Sequence, residues 1–344
     1  RAKNKRTPFN LSHERKMSMQ IGKLVPILCE EVVPGDKWRI NSEVLIRLAP
    51  MLAPVMHRMN AYVHYYFVPN RIVWDGWEDF ITGGEKGDDN STIPLFSSVG
   101  ITKGSLGDYL GLPIMSTEEV NRQEISVLPF RGYAEIYNEY YRDQNLEDPI
   151  DMSNRLELEK LRNRAWEKDY FTSALPFTQK GGPSNAPLTV FPTYRPTSEV
   201  YKTLDGSESD GNLHAHTGQL HDATVPDATT PSRIENLMSS LSGVIDINDF
   251  RVAHRVQKWY ERQARSGSRY IETLLSHFGI APNDARLQRP EFLGGGITPV
   301  QISAVNNTNG NQNGEQGSTN VPQGSQSGMG IAVGNTNQTS KTFT

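Results

Sequence analysis

Three histidines, His214, His216 and His221, are the nearest this sequence comes to a metal constellation. On an extended segment, positions i and i+2 point to the same side, and a third imidazole nearby could complete a divalent-cation site. The flanking residues are mostly Asp, Ser, Gly and Thr, which offer no packed scaffold to orient the rings. An exposed loop that carries histidines is the simpler reading, so neither a resident metal nor a cofactor is expected. The acidic pairs Glu30-Glu31, Asp88-Asp89 and Glu118-Glu119 are sequence neighbours, which in extended chain face opposite ways and cannot converge on one substrate. Nucleophile-elbow, P-loop and His-Glu-x-x-His patterns do not occur. Leu293-Gly294-Gly295-Gly296 follows no strand-to-helix context and reads as a flexible turn, not a phosphate cradle.

Aromatic residues offer a different chemistry. Trp74, Trp77 and Phe80 lie among Asp75, Glu78 and Asp79, and residues 133 to 141 hold four tyrosines. Aromatic faces stack unpaired bases, but they also anchor protein interfaces. Acids beside the tryptophans repel phosphate, so Trp74, Trp77 and Phe80 read as interface or core. Tyr137 and Tyr140 are open to packing, interface contact or base stacking. The reading is of a structural protein, not an enzyme.

Strands should position the first of these groups. Met17, Met19 and Ile21 alternate with polar residues, and the apolar run Leu24 to Leu28 follows. Val33-Pro34-Gly35-Asp36 is a turn signal. Trp38, Ile40, Val44, Ile46 and Leu48 keep a period of two broken only by Ser42, and Ala61 to Val68 reads as a strand covered on both faces. Helical spacing appears later: Tyr133 to Tyr141 after Pro129, Leu156 to Trp166 more faintly, a long stripe from Asn248 capped by Asp246 or Asn248, and Tyr270 to Phe278 stopped by Gly279. Residues 202–232 and 306–340 lack periodicity and read as a surface loop and a polar Gly/Asn/Gln/Ser/Thr loop. The fold expected is mainly β, a sandwich or barrel of jelly-roll type with long helix-containing insertion loops. Residues 17–344 would form one domain, with insertions over about 70–200 and 201–300. Too little sheet is evident before residue 300 for eight strands, so a partial polypeptide lacking later barrel strands is expected.

The net charge of −4 argues against a wholly nucleic-acid-binding surface, but its distribution is uneven. Residues 1–16 form a basic arm: Arg1, Lys3, Lys5, Arg6, Arg15 and Lys16 stand against one acid, Glu14. Such an arm can reach phosphates through counterion release, although composition is equally consistent with a solvated terminus. Cys29 is the lone cysteine, so no intrachain disulfide and no thiolate zinc site can form. No apolar run approaches a membrane span or a secretion signal, and a soluble intracellular product without membrane insertion is expected.

Several blocks, in order along the chain, carry a resemblance. They are Val33-Pro34-Gly35-Asp36, the run Arg47 to Met56, Phe67 to Gly84, Leu128-Pro129-Phe130-Arg131 with Asn138 to Asp143, Asp169 to Pro176, Ser276 to Gly279, and Asp284 to Gly296. Together they resemble the major capsid (F protein) family of the Microviridae, the small icosahedral single-stranded-DNA bacteriophages, including its gokushovirus-like branch. The resemblance implies a viral jelly roll that self-assembles into a T=1 shell around circular single-stranded DNA. It also implies companions: a small basic DNA-binding virion protein, a minor or pilot protein and a host surface receptor, with assembly in the bacterial cytoplasm. On that reading the basic arm faces packaged DNA, and Trp74, Trp77, Phe80, Tyr137 and Tyr140 lie at or just under contacts between copies. The rival classes are a carbohydrate-binding jelly-roll module, with the aromatics stacking on sugars, and a metal-dependent enzyme built on the three histidines.

Overall fold

The computed structural model describes residues 7–51, 55–85, 90–97, 99–186, 188–194, 201–202, 208–209, 213–216, 219–222, 238–267, 269–306, 326–337 and 341–343. The chain forms two compact units, Arg1–Ala174 with Arg269–Thr344 and Leu175–Ser268. In sequence, the second is inserted within the first.

In the first unit, residues 33–36 make the expected turn. The Asp36 amide donates to the Val33 carbonyl at 3.0 Å, and Gly35 takes the φ of +89° that the third turn position demands. Strands β1 (Lys37–Trp38) and β2 (Asn41–Arg47) follow, and β2 alternates exposed and half-buried residues along its length. Ser42, the polar break in the period, points inward beside Val44 and Ile46. Its hydroxyl is bonded to those of Tyr65 and Thr336, which satisfies a polar group that would otherwise be costly to bury. β3 (Asn60–Phe67) is covered along its whole length.

Short helices come next: α1 (Asn70–Val73), α2 (Trp77–Thr82), α3 (Leu106–Leu110), α4 (Thr117–Gln123), α5 (Leu128–Ile136) and α6 (Arg155–Leu158). Their starts are chemically defined. Ser105 caps α3, Ser116 and Glu119 form a reciprocal capping box on α4, and Pro129 occupies the first turn of α5, where its missing N–H costs nothing. A widened π turn, Tyr137–Tyr141, ends α5. Phe96, Ile101, Leu106, Val120, Val127, Phe130, Ala134, Tyr137, Ile150 and Leu158 are buried together and form the core of this unit.

The second unit carries β4 (Leu188–Tyr194), β5 (Tyr201–Lys202), β6 (Glu208–Ser209), β7 (Leu213–His216), β8 (Gln219–Asp222), β9 (Met238–Ile245) and α7 (Ile247–Ser266). Its strands pair antiparallel as β4 with β9, β5 with β6 and β7 with β8. The Asp246 carboxylate accepts from the Asn248 amide at 2.8 Å and opens α7 as the sequence suggests.

The chain then returns to the first unit with α8 (Tyr270–Phe278), ended by Gly279 at φ +68°. Strands β10 (Glu291–Pro299), β11 (Gln301–Asn306), β12 (Gln326–Asn337) and β13 (Lys341–Thr342) complete it. β12 is the centre of an antiparallel sheet between β11 and β2; β10 pairs with β3 and β13 with β1. The two larger sheets meet through their facing side chains, since Tyr65 on β3 reaches Thr336 on β12 at 3.2 Å.

Several expectations need correction. Sheets and helices share the fold, the buried core of the first unit lies among helices, and among the described residues the strands form separate sheets of two and three without a closed barrel. The alternating segment Met17–Ile21 and the run Leu24–Leu28 are not strands. Among the described residues no strand lies beside them; a single antiparallel bridge joins Lys23 to Asn163, with Leu24 N–H on Arg162 O at 2.9 Å and Arg164 N–H on Gly22 O at 2.8 Å. The helix expected over 156–166 stops at Leu158, because Arg162 folds back onto the Glu157 carbonyl at 2.9 Å and its carboxylate at 2.7 Å. Gly294 to Gly296 lie in β10, not in a turn. The 306–340 tract, expected as loop throughout, contains β12. Its inward positions are Gly330, Ala332 and Gly334 while Met329, Ile331 and Val333 face out, so the apolar period is present but half of it is written in small residues. Likewise, the 202–232 segment contains β5 to β8.

Candidate functional site

Aromatic and basic residues at or near the surface are the groups available to touch other molecules. Trp74, Trp77 and Phe80 are brought together by the step from α1 into α2. Their ring centroids lie 5.4 to 6.2 Å apart in tilted and edge contacts, the geometry aromatic quadrupoles prefer. All three are half-buried, Ile81 beside them is exposed, and α2 is closed by Gly83 in the left-handed region. Asp75, Glu78 and Asp79 are exposed around this cluster.

The tyrosines divide differently. Tyr137 is 7 % exposed in the helical core, where its hydroxyl donates to Glu147 at 2.5 Å, and burial pushes its pKa up to about 12. Tyr140 donates to Asp284 at 3.1 Å and to the Pro290 carbonyl, while the Arg289 guanidinium lies 4.9 Å over its ring. Arg289 also pairs with Asp284 at 2.7 Å. Tyr140 therefore fastens the end of α5 to the segment entering β10. Tyr141 completes the join through His64, whose Nδ1 lies 2.7 Å from its hydroxyl. The His64 pKa is lowered by burial and, less, by Arg164.

Of the basic arm, Arg1, Lys3, Lys5 and Arg6 lie outside the described residues. Arg15 donates to the Ile27 carbonyl at 3.0 Å and to that of Tyr109, so it pins the root of the arm to the body. Lys16 pairs with Glu14 at 3.3 Å on the surface. The imidazoles of His214, His216 and His221 also lie outside the described side chains; the backbone places His214 opposite His221 and His216 opposite Gln219 in the β7–β8 register.

The loop 166–173, of which Asp169 to Ser173 entered the sequence reading only as part of a resemblance, is well tied. The Asp169 carboxylate accepts from the Phe171 amide at 2.9 Å, the Thr172 amide at 2.7 Å and the Thr172 hydroxyl at 2.9 Å, which holds its pKa below the usual carboxylate range. Lys168 reaches Asp143 at 2.5 Å and the Thr172 carbonyl at 3.2 Å. This braced turn holds Tyr170 and Phe171 out at 90 % and 84 % exposure, with Trp166 at 69 %. An Asp-x-x-Thr spacing was the available signal, because a side chain of this kind bonds its own backbone two and three residues on.

A half-buried acid adds a pH dependence to the first unit. The Glu135 carboxyl on α5 is pushed up to about 7, first by burial and then by Glu139. Folding thus favours its protonated form, a contribution complete at acid pH and lost as pH rises through about 7. Glu135→Gln is expected to raise the melting temperature at pH 8 by roughly 2–4 °C and to leave it unchanged at pH 4. Thermal scans of both proteins check this, and equal shifts at the two pH values would count against the assignment.

The profile of the family described as Capsid protein (F protein) matches residues 1–344. The chain is 34 % identical to capsid protein VP1 of Bdellovibrio phage phiMH2K over 98 % of its own length and 66 % of that protein. It is 30 % identical to capsid protein VP1 of Chlamydia phage 1, covering 88 % of this chain and 63 % of that one, and 30 % identical to capsid protein VP1 of Spiroplasma virus 4, covering 88 % and 61 %. The chain spans about two thirds of the length of the curated relatives it matches. With a family match from its first residue to its last and three microvirus VP1 proteins aligned along most of it, the chain belongs to the phage capsid protein (F protein) family.

Proposed function

We propose that the protein is a shell subunit of a small single-stranded-DNA bacteriophage, acting by repeated contact with copies of itself. The observation that carries this is the family match over the whole chain. The facing antiparallel sheets are compatible with part of a jelly roll, and a family of shell proteins points to a structural role, not a catalytic one. In this reading copies close into a T=1 shell around circular single-stranded DNA. The tip of the basic arm turns inward to neutralise phosphate, its root fixed by Arg15. The shell assembles in the host cytoplasm with a small basic DNA-binding protein and a minor protein, and its outer surface meets the host receptor. The Trp74–Trp77–Phe80 cluster serves as one contact between copies, because partly exposed tryptophans are the residues on which interfaces concentrate their energy.

Electron microscopy and sedimentation of the full natural polypeptide test this. Uniform particles are expected from the wild type. Trp74→Ala with Trp77→Ala should leave folded, soluble subunits and lower particle yield roughly tenfold or more, the loss typical of removing interface anchors. A monodisperse monomer with affinity for glycans would favour the sugar-binding alternative, and normal particles from the double variant would remove the tryptophans from the interface.

A further inference from the structure

We propose that the outer face of α7 is a binding surface for single-stranded nucleic acid, on which Arg251, Arg255, Lys258 and Arg262 follow the phosphates and Trp259 stacks on a base. The inference deepens the shell reading and takes from it only that such a strand is at hand.

Positive charge in the second unit is concentrated on this helix. Residues 175–268 hold nine Lys and Arg against ten Asp and Glu, yet α7 alone carries five of those cations against two acids. Arg251, Arg255, Lys258 and Arg262 stand at i, i+4, i+7 and i+11, which is one stripe of a helix. At a rise of about 1.5 Å per residue, the stripe is roughly 16 Å long. All four are exposed, and so is Arg265 one turn further on. The opposite side faces the unit: Ala264 is 1 % exposed, and Gln257 donates to the Gln179 side chain and accepts from the Ser184 amide at 3.4 Å.

A solvated helix gains stability by setting acids three or four residues from such cations, and this stripe forgoes it. Arg255 has Arg251 one turn before it and Lys258 one turn after, and Lys258 is followed by Arg262. Glu261, three residues beyond Lys258, accepts from Gln257 at 3.2 Å on the inward side. Asp249 lies in the first turn, off the stripe. Among the described residues Arg251, Arg255, Lys258 and Arg265 make no ion pair. Like charges at these spacings repel and weaken the helix, and a bound polyanion removes that cost.

Which polyanion fits follows from the residues beside the stripe. Val252, Val256 and Trp259, exposed at 60 %, 36 % and 45 %, form a second strip at i, i+4 and i+7 alongside it. A row of cations next to an exposed indole is the pairing by which proteins hold unpaired strands: the charges track the backbone and the ring takes a base face. A duplex keeps its base faces stacked on one another and out of reach of such a ring. An anionic bilayer needs a broad apolar face that can enter the acyl boundary. Here the apolar positions Ala253, Tyr260 and Ala264 are turned to the unit, which leaves a strip of three side chains.

Fluorescence anisotropy of labelled oligo-dT with the full natural polypeptide, over a range of salt, tests this. Arg255→Gln with Lys258→Gln is expected to keep the wild-type melting temperature and to weaken binding roughly tenfold at low salt. It should also flatten the slope of log affinity against log salt by about 1.4, the share of two phosphate contacts on a single strand. Trp259→Ala should weaken binding roughly fivefold or more and leave the slope unchanged, and Trp259→Phe should recover most of that loss, because stacking is not ionic. Lys37→Gln with Lys103→Gln, exposed cations of the first unit, is the control of equal charge and should leave the slope as it is. A wild-type slope in the α7 double variant overturns the proposal, as does an equal change in the control. So does loss of binding to vesicles of phosphatidylglycerol and phosphatidylcholine with oligo-dT binding intact. Protein that binds oligo-dT in the expected pattern but forms no particles upholds the surface and defeats the shell reading; particles beside an unchanged slope do the reverse.

Discussion

Gly295→Ala is expected to destabilise the first unit by about 3 kcal/mol or more, at the upper end of what overpacking costs. A methyl group there would lie 2.1 Å from the Val63 carbonyl oxygen and 2.8 Å from the His64 ring, and the first of these is backbone that cannot step aside. Gly295 is registered opposite His64 just after the bulge between Phe292 and Gly294, so displacing it disturbs the pairing of β3 with β10 on both sides. Neighbouring glycines answer the same demand: an added Cβ would meet Thr336 at 2.4 Å from Gly296 and Thr298 at 2.0 Å from Gly334. Urea unfolding measures the effect as a lowered midpoint. Gly182→Ala is the control, since nothing lies within 4 Å of its added carbon, and it should change stability by less than about 0.5 kcal/mol. Similar midpoints for the two variants would mean that β10 and β3 are not packed as described.

Phe130→Ala should cost about 3–5 kcal/mol, the range for emptying a buried phenylalanine site. Phe130 is 1 % exposed and stacks on Phe96 with centroids 4.2 Å apart and planes 3° from parallel. It is surrounded by residues from α3, α4, α5 and α6, so the void cannot close without moving several short helices at once. Those helices are too short to persist alone, and their stability comes from this shared packing. The variant is therefore expected to accumulate mostly as insoluble protein, and its soluble fraction to show a lowered urea midpoint for the first unit. A shift below about 1 kcal/mol would place the main core elsewhere.

The elements that could be read from the sequence are those whose own residues carry a period. β2, β3, α7, α8 and the turn at 33–36 each announce themselves in apolar spacing, caps or a Pro-Gly pair, and each is found in place. β10 and β12 escaped because their covered faces are short of large apolar residues: Gly294, Gly296 and Thr298 beside Leu293 in β10, and Gly328, Gly330, Ala332, Gly334 and Thr336 in β12. The hydrophobic signal there is one-sided, and only the close approach of two backbones explains it. The opposite error arose at Met17–Ile21, where alternation is present but no partner strand lies alongside among the described residues; period alone does not supply a neighbour. The aromatic cluster on α2 was visible as composition. Tyr137 and Tyr140 bond within the chain to Glu147, Asp284 and Pro290, partners 10 to 150 residues away that local spacing cannot indicate. Tyr170 and Phe171 lie at the other limit, since the two aromatic letters say nothing of exposure and the signal for the turn lies in their flanks, Asp169 and Thr172.

The hydroxyl knot of Ser42, Tyr65 and Thr336 joins positions up to 294 apart in sequence. β2 likewise waits for β12, with Asn41 opposite Asn337. A nascent chain leaving the ribosome therefore carries β2 without its partner until translation has passed the 330s, and the entropy of closing so long a loop falls on that late step. Completion of this sheet is therefore a late, non-local step of folding.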